Sequence, residues 1–320
     1  MRRSLVLALL LLAFGGRAGA WNSRVPLPAI PCQVFPPDSV WSADISTLPV
    51  HAQSDAYVSS IGASLPLHPD FGSKKIGIPY AVVPSAQAEV PIAFDAYGDE
   101  SDPGPYPVPP KAPVEHGSDR HVLVVRTGAT PTDPCALYEL FAAHRKHRGA
   151  FWRADSGALW DLGSNALRTD GWTSADAAGL PILPGLVRYD EILNGAIHHA
   201  LRFTAPRTQR SYVWPARHFA SSNTDPALPP MGARFRLKAN VDISGFSTIN
   251  RIILDALKTY GMFVADNGGA WFVTGAPDPR WSNDELHLLT GIHGADFEAV
   301  DEAGLMVDPG SGQAQQRCSG

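Results

Sequence analysis

The sequence predicts an α+β fold rich in antiparallel β, with sandwich or jelly-roll-like sheets and about three short helices. Three observations lead there. Glycine and proline number 29 each among 320 residues while charged residues make up 18%, a balance suited to short strands and tight turns. Short apolar runs recur along the chain, separated by turn signals. Those runs never alternate regularly with helices, as a Rossmann or TIM architecture would require.

The elements follow in chain order. Residues 21–115 hold 17 of the 29 prolines. Proline lacks a backbone donor and is excluded from central strands and helix interiors, so this region reads as loops and edge strands wrapped around a core. Within it, Ile78–Val83 and Val90–Phe94 are strand candidates, and Tyr97–Pro113 is an acidic turn leading into a proline-rich loop. The main core is expected over 116–307 and forms one structural unit with 21–115. His121–Arg126 is a strong strand; Ala136–His144, whose Leu137, Leu140 and Phe141 also fit a helix, reads as a second because its neighbours are strands; and Phe151–Leu162 reads as a hairpin around Asp155-Ser156-Gly157. After a turn-rich stretch from Gly163 to Gly185, a short helix runs from Leu186 to Asn194 and stops at Gly195.

His198–Phe203, Tyr212–Pro215 and Ala233–Asn240 then read as strands. Ile249–Tyr260 is the clearest helix, because Ile249, Ile252, Ile253, Ala256, Leu257 and Tyr260 make one apolar stripe after a Ser247 or Thr248 cap. Met262–Ala265 and Trp271–Thr274 suggest a hairpin around Asp266-Asn267-Gly268-Gly269. A last helix starts at Ser282, where Ser282 and Glu285 fit a capping box, and residues 308–320 read as a disordered tail.

Two features speak of compartment. Arg2 and Arg3 precede an apolar run from Leu5 to Phe14 that Ala18-Gly19-Ala20 closes, the pattern of a secretory signal peptide over 1–20, cut before Trp21. The run is too short to span a bilayer, which needs about 20 residues, and no later segment approaches that length. The expected product is therefore secreted, extracellular or periplasmic, with no membrane span after cleavage. The chain has three cysteines. Cys32 and Cys135 flank segments that look ordered whereas Cys318 sits in a Gly/Ser/Gln stretch, so a Cys32–Cys135 disulfide is expected. Without the leader, 23 basic residues face 31 acidic ones, a net charge of about −8. That balance argues against nucleic acid as a partner.

No GxSxG elbow, HExxH, P-loop, GxGxxG or CxxC is present. Three constellations remain. Asp99-Glu100-Ser101-Asp102 reads as a solvated turn, or can supply a general acid, or hard oxygens for Ca²⁺. Asp176 lies alone in an apolar, turn-rich stretch where desolvation would poise it as an acid or base, or where it caps its own turn. His121, His198, His199 and His218 fall at strand positions that could converge on one face. No cofactor is predicted, and a metal is left open.

The runs GWTSADAAGLPILPGLVRYDE, HALRFTAPRTQRSYVWPARHFASS and PPMGARFRLKA resemble segments of a family of exported bacterial proteins of unassigned function, over most of the mature chain. The resemblance implies export and a single unit, and no activity. The expected function is a polysaccharide-acting enzyme, a glycoside hydrolase or lyase. Its catalytic candidates are Asp102, Asp176, His199 and His218, and its substrate-binding candidates are Trp172, Trp214, Arg217 and His121. The alternative is a non-catalytic carbohydrate-binding or cell-envelope module using the same aromatics. In either case the expected partner is an extracellular glycan.

Overall fold

A computed structural model describes residues 24–315. The leader over 1–20, the cut before Trp21 and Cys318 lie outside the described residues.

In chain order the elements are α1 (Ser54–Ile61), β1 (His68–Asp70), β2 (Tyr80–Val83), β3 (Ile92–Phe94), β4 (Val122–Arg126), β5 (Ala136–Phe141), β6 (His144–Lys146), β7 (Phe151–Ala154) and β8 (Ser156–Asp161). There follow α2 (Tyr189–Asn194), β9 (Leu201–Ala205), β10 (Arg234–Leu237), α3 (Thr248–Thr259), β11 (Met262–Asn267), β12 (Phe272–Thr274), α4 (Asn283–His287) and β13 (Phe297–Ala299). They form a six-stranded sheet in the order β1-β12-β9-β11-β10-β13, a four-stranded sheet β2-β4-β5-β8 and a three-stranded sheet β3-β7-β6. The fold is α+β with few helices. It is not a purely antiparallel sandwich, because β1 runs parallel to β12, β9 to β11, β2 to β4 and β3 to β7.

Local chemistry explains the helices. In α3 the Ser247 side chain accepts from the Asn250 N–H, and Ile253, Leu254, Ala256 and Leu257 are buried. Ser282 caps α4 by accepting from the Glu285 N–H. Gly195 ends α2 in the left-handed region at φ 85, where a side chain would be strained. Helix α1 was not expected in the proline-rich region. It lacks a side-chain cap and is held by burial of Tyr57, Val58 and Ile61 instead.

Both expected hairpins are corrected. Strand β7 pairs with β3 and β6, whereas β8 pairs with β5, so the chain changes sheets at Asp155. Strands β11 and β12 do not pair with each other, because β9 lies between them and bonds to both. The Asp-Asn-Gly-Gly turn passes over the end of β9, where the Gly268 N–H donates to Ala205 O. Tyr212–Pro215 forms no strand and makes only a single bridge, Tyr212 to Met231. His198 and His199 precede β9 rather than belonging to it. Residues 308–315 are also not loose: Gln313 bridges Ser39, Ser311 bridges Ala166, and the Trp214 indole N–H donates to Ser311 O.

The main apolar core draws on residues from Leu27 to Ala314, and a smaller one gathers around Tyr106, Tyr138 and Trp152. A Cys32–Cys135 disulfide ties the N-terminal segment to the start of β5. Among the described residues no helix is long and apolar enough to cross a membrane.

Candidate functional site

The sequence-predicted residues divide among four places. Asp102, Trp172, Arg217 and His218 do come together, where the acidic loop meets the turn-rich segment. Their polar groups are largely engaged as braces. Asp102 Oδ2 accepts from the Leu159 N–H and from Arg168 Nη1. Arg168 also donates to Thr173 O and Glu100 O while its guanidinium lies over the Trp160 and Trp172 rings. Arg217 Nε donates to Arg168 O, and His218 Nδ1 sits 2.8 Å from Ala177 O. His218 Nε2 lies 4.0 Å from Glu100 Oε2, the loosest polar approach of the set.

Asp176 and His121 belong to a buried charged network. Arg202, on β9, donates Nη2 to Asp176 Oδ1 at 2.9 Å and Nη1 to Thr274 Oγ1 at 2.9 Å. Asp176 Oδ2 and Arg202 Nε have no partner. His121 Nδ1 lies 2.6 Å from Glu115 Oε2 and its Nε2 lies 3.1 Å from Ala175 O. Burial alone would lower His121, but the hydrogen bond and charge of Glu115 outweigh it and hold the ring above its ordinary value. Asp176 is pushed up, because burial exceeds the opposing pull of Arg202. Asp266, also near this network, is pushed up to about 7 by desolvation and then by Asp176. With Asp176 only 1% exposed, a polymer cannot touch it in this conformation. The network reads as a brace between the six-stranded sheet and the loop that carries Asp176.

His199 stands elsewhere, in a cleft of about 290 Å³. One side comes from Ile30 to Phe35 with Trp41, and the other from Arg188, Asp190, Glu191 and His199. The cleft is built locally. Gly185 lets the turn before α2 lie flat against β9, since a Cβ there would stand 2.9 Å from Arg202 Cβ and 3.0 Å from the Trp41 ring. Helix α2 then starts at once and places Asp190 and Glu191 in its first turn, where the helix dipole favours negative charge.

The chemistry at the cleft is dense. Arg188 Nη2 donates to Glu191 Oε1, and its Nε lies 3.8 Å from Asp190 Oδ1, so one guanidinium serves both carboxylates. His199 Nε2 lies 2.9 Å from Glu191 Oε1 while its Nδ1 faces Ala200 O at 2.8 Å. Burial pushes Glu191 up, but Arg188 and then His199 outweigh it and leave it below the ordinary carboxylate range. Asp190 goes the other way: burial dominates Arg188, Glu191 adds repulsion, and its value rises. Glu191 Oε2, Asp190 Oδ1 and Arg188 Nε are buried without any hydrogen-bond partner. Among the described residues no cluster of three or more His, Cys, Asp or Glu is arranged to hold a metal ion.

Trp214 lines a separate pocket of about 240 Å³. The eight substrate and catalytic candidates therefore do not share one cleft. Arg188, Asp190 and Glu191 were missed by sequence reasoning, although a signal was present. Two acids open a short helix nine and eight positions before His199, in the run VRYDE.

Comparison of this chain with family models, with curated proteins and with solved structures finds no match.

Proposed function

We propose that the protein is an exported enzyme that cleaves a glycan by acid–base chemistry at the α2 cleft. One observation carries the reading. Asp190 and Glu191 are neighbours in sequence and share Arg188, yet their surroundings push their proton affinities in opposite directions beside an open cleft. Splitting two carboxylates in this way separates a proton donor from an ionised partner. Asp190, whose proton is held more tightly, is the general acid. Glu191, kept ionised by Arg188 and oriented by His199, is the base.

In hydrolysis the Asp190 proton passes to the glycosidic oxygen as the bond to the anomeric carbon breaks. A water adds to that carbon and gives its proton to Glu191, and proton exchange with solvent resets the pair. Glu191 Oε2 and Asp190 Oδ1 are buried and make no hydrogen bond in the free protein, so each keeps an unused acceptor, and water and sugar reach it only when the cleft opens. Gln33, Ser42 and Asn194 add hydrogen-bonding groups suited to hydroxyls, with Phe35 and Trp41 as apolar surface. Export rests on the leader and agrees with the disulfide, which an oxidising compartment permits.

The test is release of reducing ends from a panel of insoluble and soluble polysaccharides. Glu191→Gln and Asp190→Asn should each lower the rate by about 10²–10⁴ on the responsive glycan. Asp102→Asn should stay within a few-fold of wild type. Full activity in both α2 variants, or cleavage of nothing in the panel, would sink the proposal. Binding without cleavage would instead favour the carbohydrate-binding alternative.

A further inference from the structure

The pocket beside Trp214 shares no lining residue with the α2 cleft. Its volume, about 240 Å³, suits a small molecule. The aromatic members are Trp214, Tyr57 and His51, the last stacked on Tyr57 at 5.3 Å between centroids. The Trp214 indole N–H is already donated to Ser311 O, so what this side chain can offer a ligand is its ring. Val213 and Met306 keep 43% and 37% of their surface exposed at the same pocket, apolar area left open to solvent.

The charges are three, and they are not equivalent. Arg234 is the cation, with none of its side chain exposed. Its Nε donates to Tyr260 O, Nη1 to Val40 O and Glu302, and Nη2 to Ala43 O, and its guanidinium lies 4.7 Å from the Phe263 ring centre. An incoming anion would find no guanidinium edge to bind. Glu302 is taken up by Arg234 as its counter-ion. Asp301 is exposed and lines the pocket, with one oxygen used by the Ala303 N–H. One carboxylate is thus left over in a pocket lined by aromatic residues and apolar walls. The carboxylate favours positive charge by Coulomb attraction, and the apolar walls favour an apolar body beside it.

We propose that this pocket is a binding site for a small organic cation, an ammonium group carried on an apolar or aromatic body. The ammonium lies at Asp301 and the apolar body lies among Trp214, Val213 and Met306. The site is independent of the proposed glycan chemistry.

Calorimetric titration of the full chain tests it with two probes of one shape and opposite charge, tryptamine and indole-3-propionate. Tryptamine should bind, and indole-3-propionate should bind at least about ten-fold more weakly. Asp301→Asn, which keeps the oxygen that accepts from Ala303, should weaken tryptamine about five-fold, as expected for one partly solvated ion pair. Ala303→Lys, at an exposed position of the rim, should weaken it further. Equal affinity for the two probes, no tryptamine binding up to millimolar concentration, or an unchanged affinity in both variants would overturn the proposal.

Discussion

Asp266 shows how one residue can carry information about pH. It follows a register shift on β11, between Val264 and Asp266, and that irregularity sets it opposite Thr204 near Arg202 and Asp176. Desolvation and the Asp176 charge push it up to about 7. At acid pH the folded and unfolded chains both hold this proton. As pH rises from the ordinary carboxylate value toward 7, the unfolded chain has released it and the folded chain has not. Stability therefore falls as pH increases across that window. Asp266→Asn keeps an oxygen for the Asn267 N–H and removes the titration. Its gain over wild type should grow by on the order of 2 kcal/mol between pH 4 and pH 8, discounted for the partial exposure of the side chain. Urea unfolding at both pH values measures this, and a gain that is constant or shrinks with pH would exclude the assignment.

Among the elements, α2 holds both carboxylates of the proposed acid–base pair in its first turn. Its end depends on Gly195 at φ 85, with open space where a Cβ would go. Gly195→Ala therefore meets no clash and suffers only the left-handed backbone penalty, about 1–2 kcal/mol. Thermal unfolding should show that loss, while a variant as stable as wild type would mean the helix ends another way. Most elements were legible from the sequence where local chemistry decides them. The Ser247 cap of α3, the Ser282 cap of α4, the Gly195 stop and the apolar run of β4 are all local signals. Helix α1 was not legible, since it has no capping side chain and is held by packing. The two hairpins were misjudged for a related reason. Turn residues predict that a chain reverses, but not whether a third strand fills the gap, as β9 does between β11 and β12.

For the whole molecule, the Cys32–Cys135 disulfide joins positions 103 residues apart. It constrains a long loop in the unfolded chain, and the chain-entropy model gives about 3–5 kcal/mol for such a closure. Replacing both cysteines with serine should lower the urea midpoint accordingly. Cys32 also lines the α2 cleft, so the same variant should lose glycan cleavage more steeply than its stability alone accounts for. An unchanged midpoint would show that packing alone holds the N-terminal segment in place.

The candidate sites divide along the same line. Sequence was enough for the pairing of Cys32 with Cys135 and for a chain of short strands with few helices, because composition and local pattern carry such information. It could not say that Asp176 lies buried against Arg202, that Arg168 occupies Asp102, or that Glu191 pairs with His199 beside Asp190 on one wall of a cleft. Those facts depend on which distant segments meet: Gly185 against β9, the 30–35 segment against α2, and residues 308–315 against the body. Long-range packing sets burial, and burial decides whether a carboxylate braces the fold or remains free for chemistry.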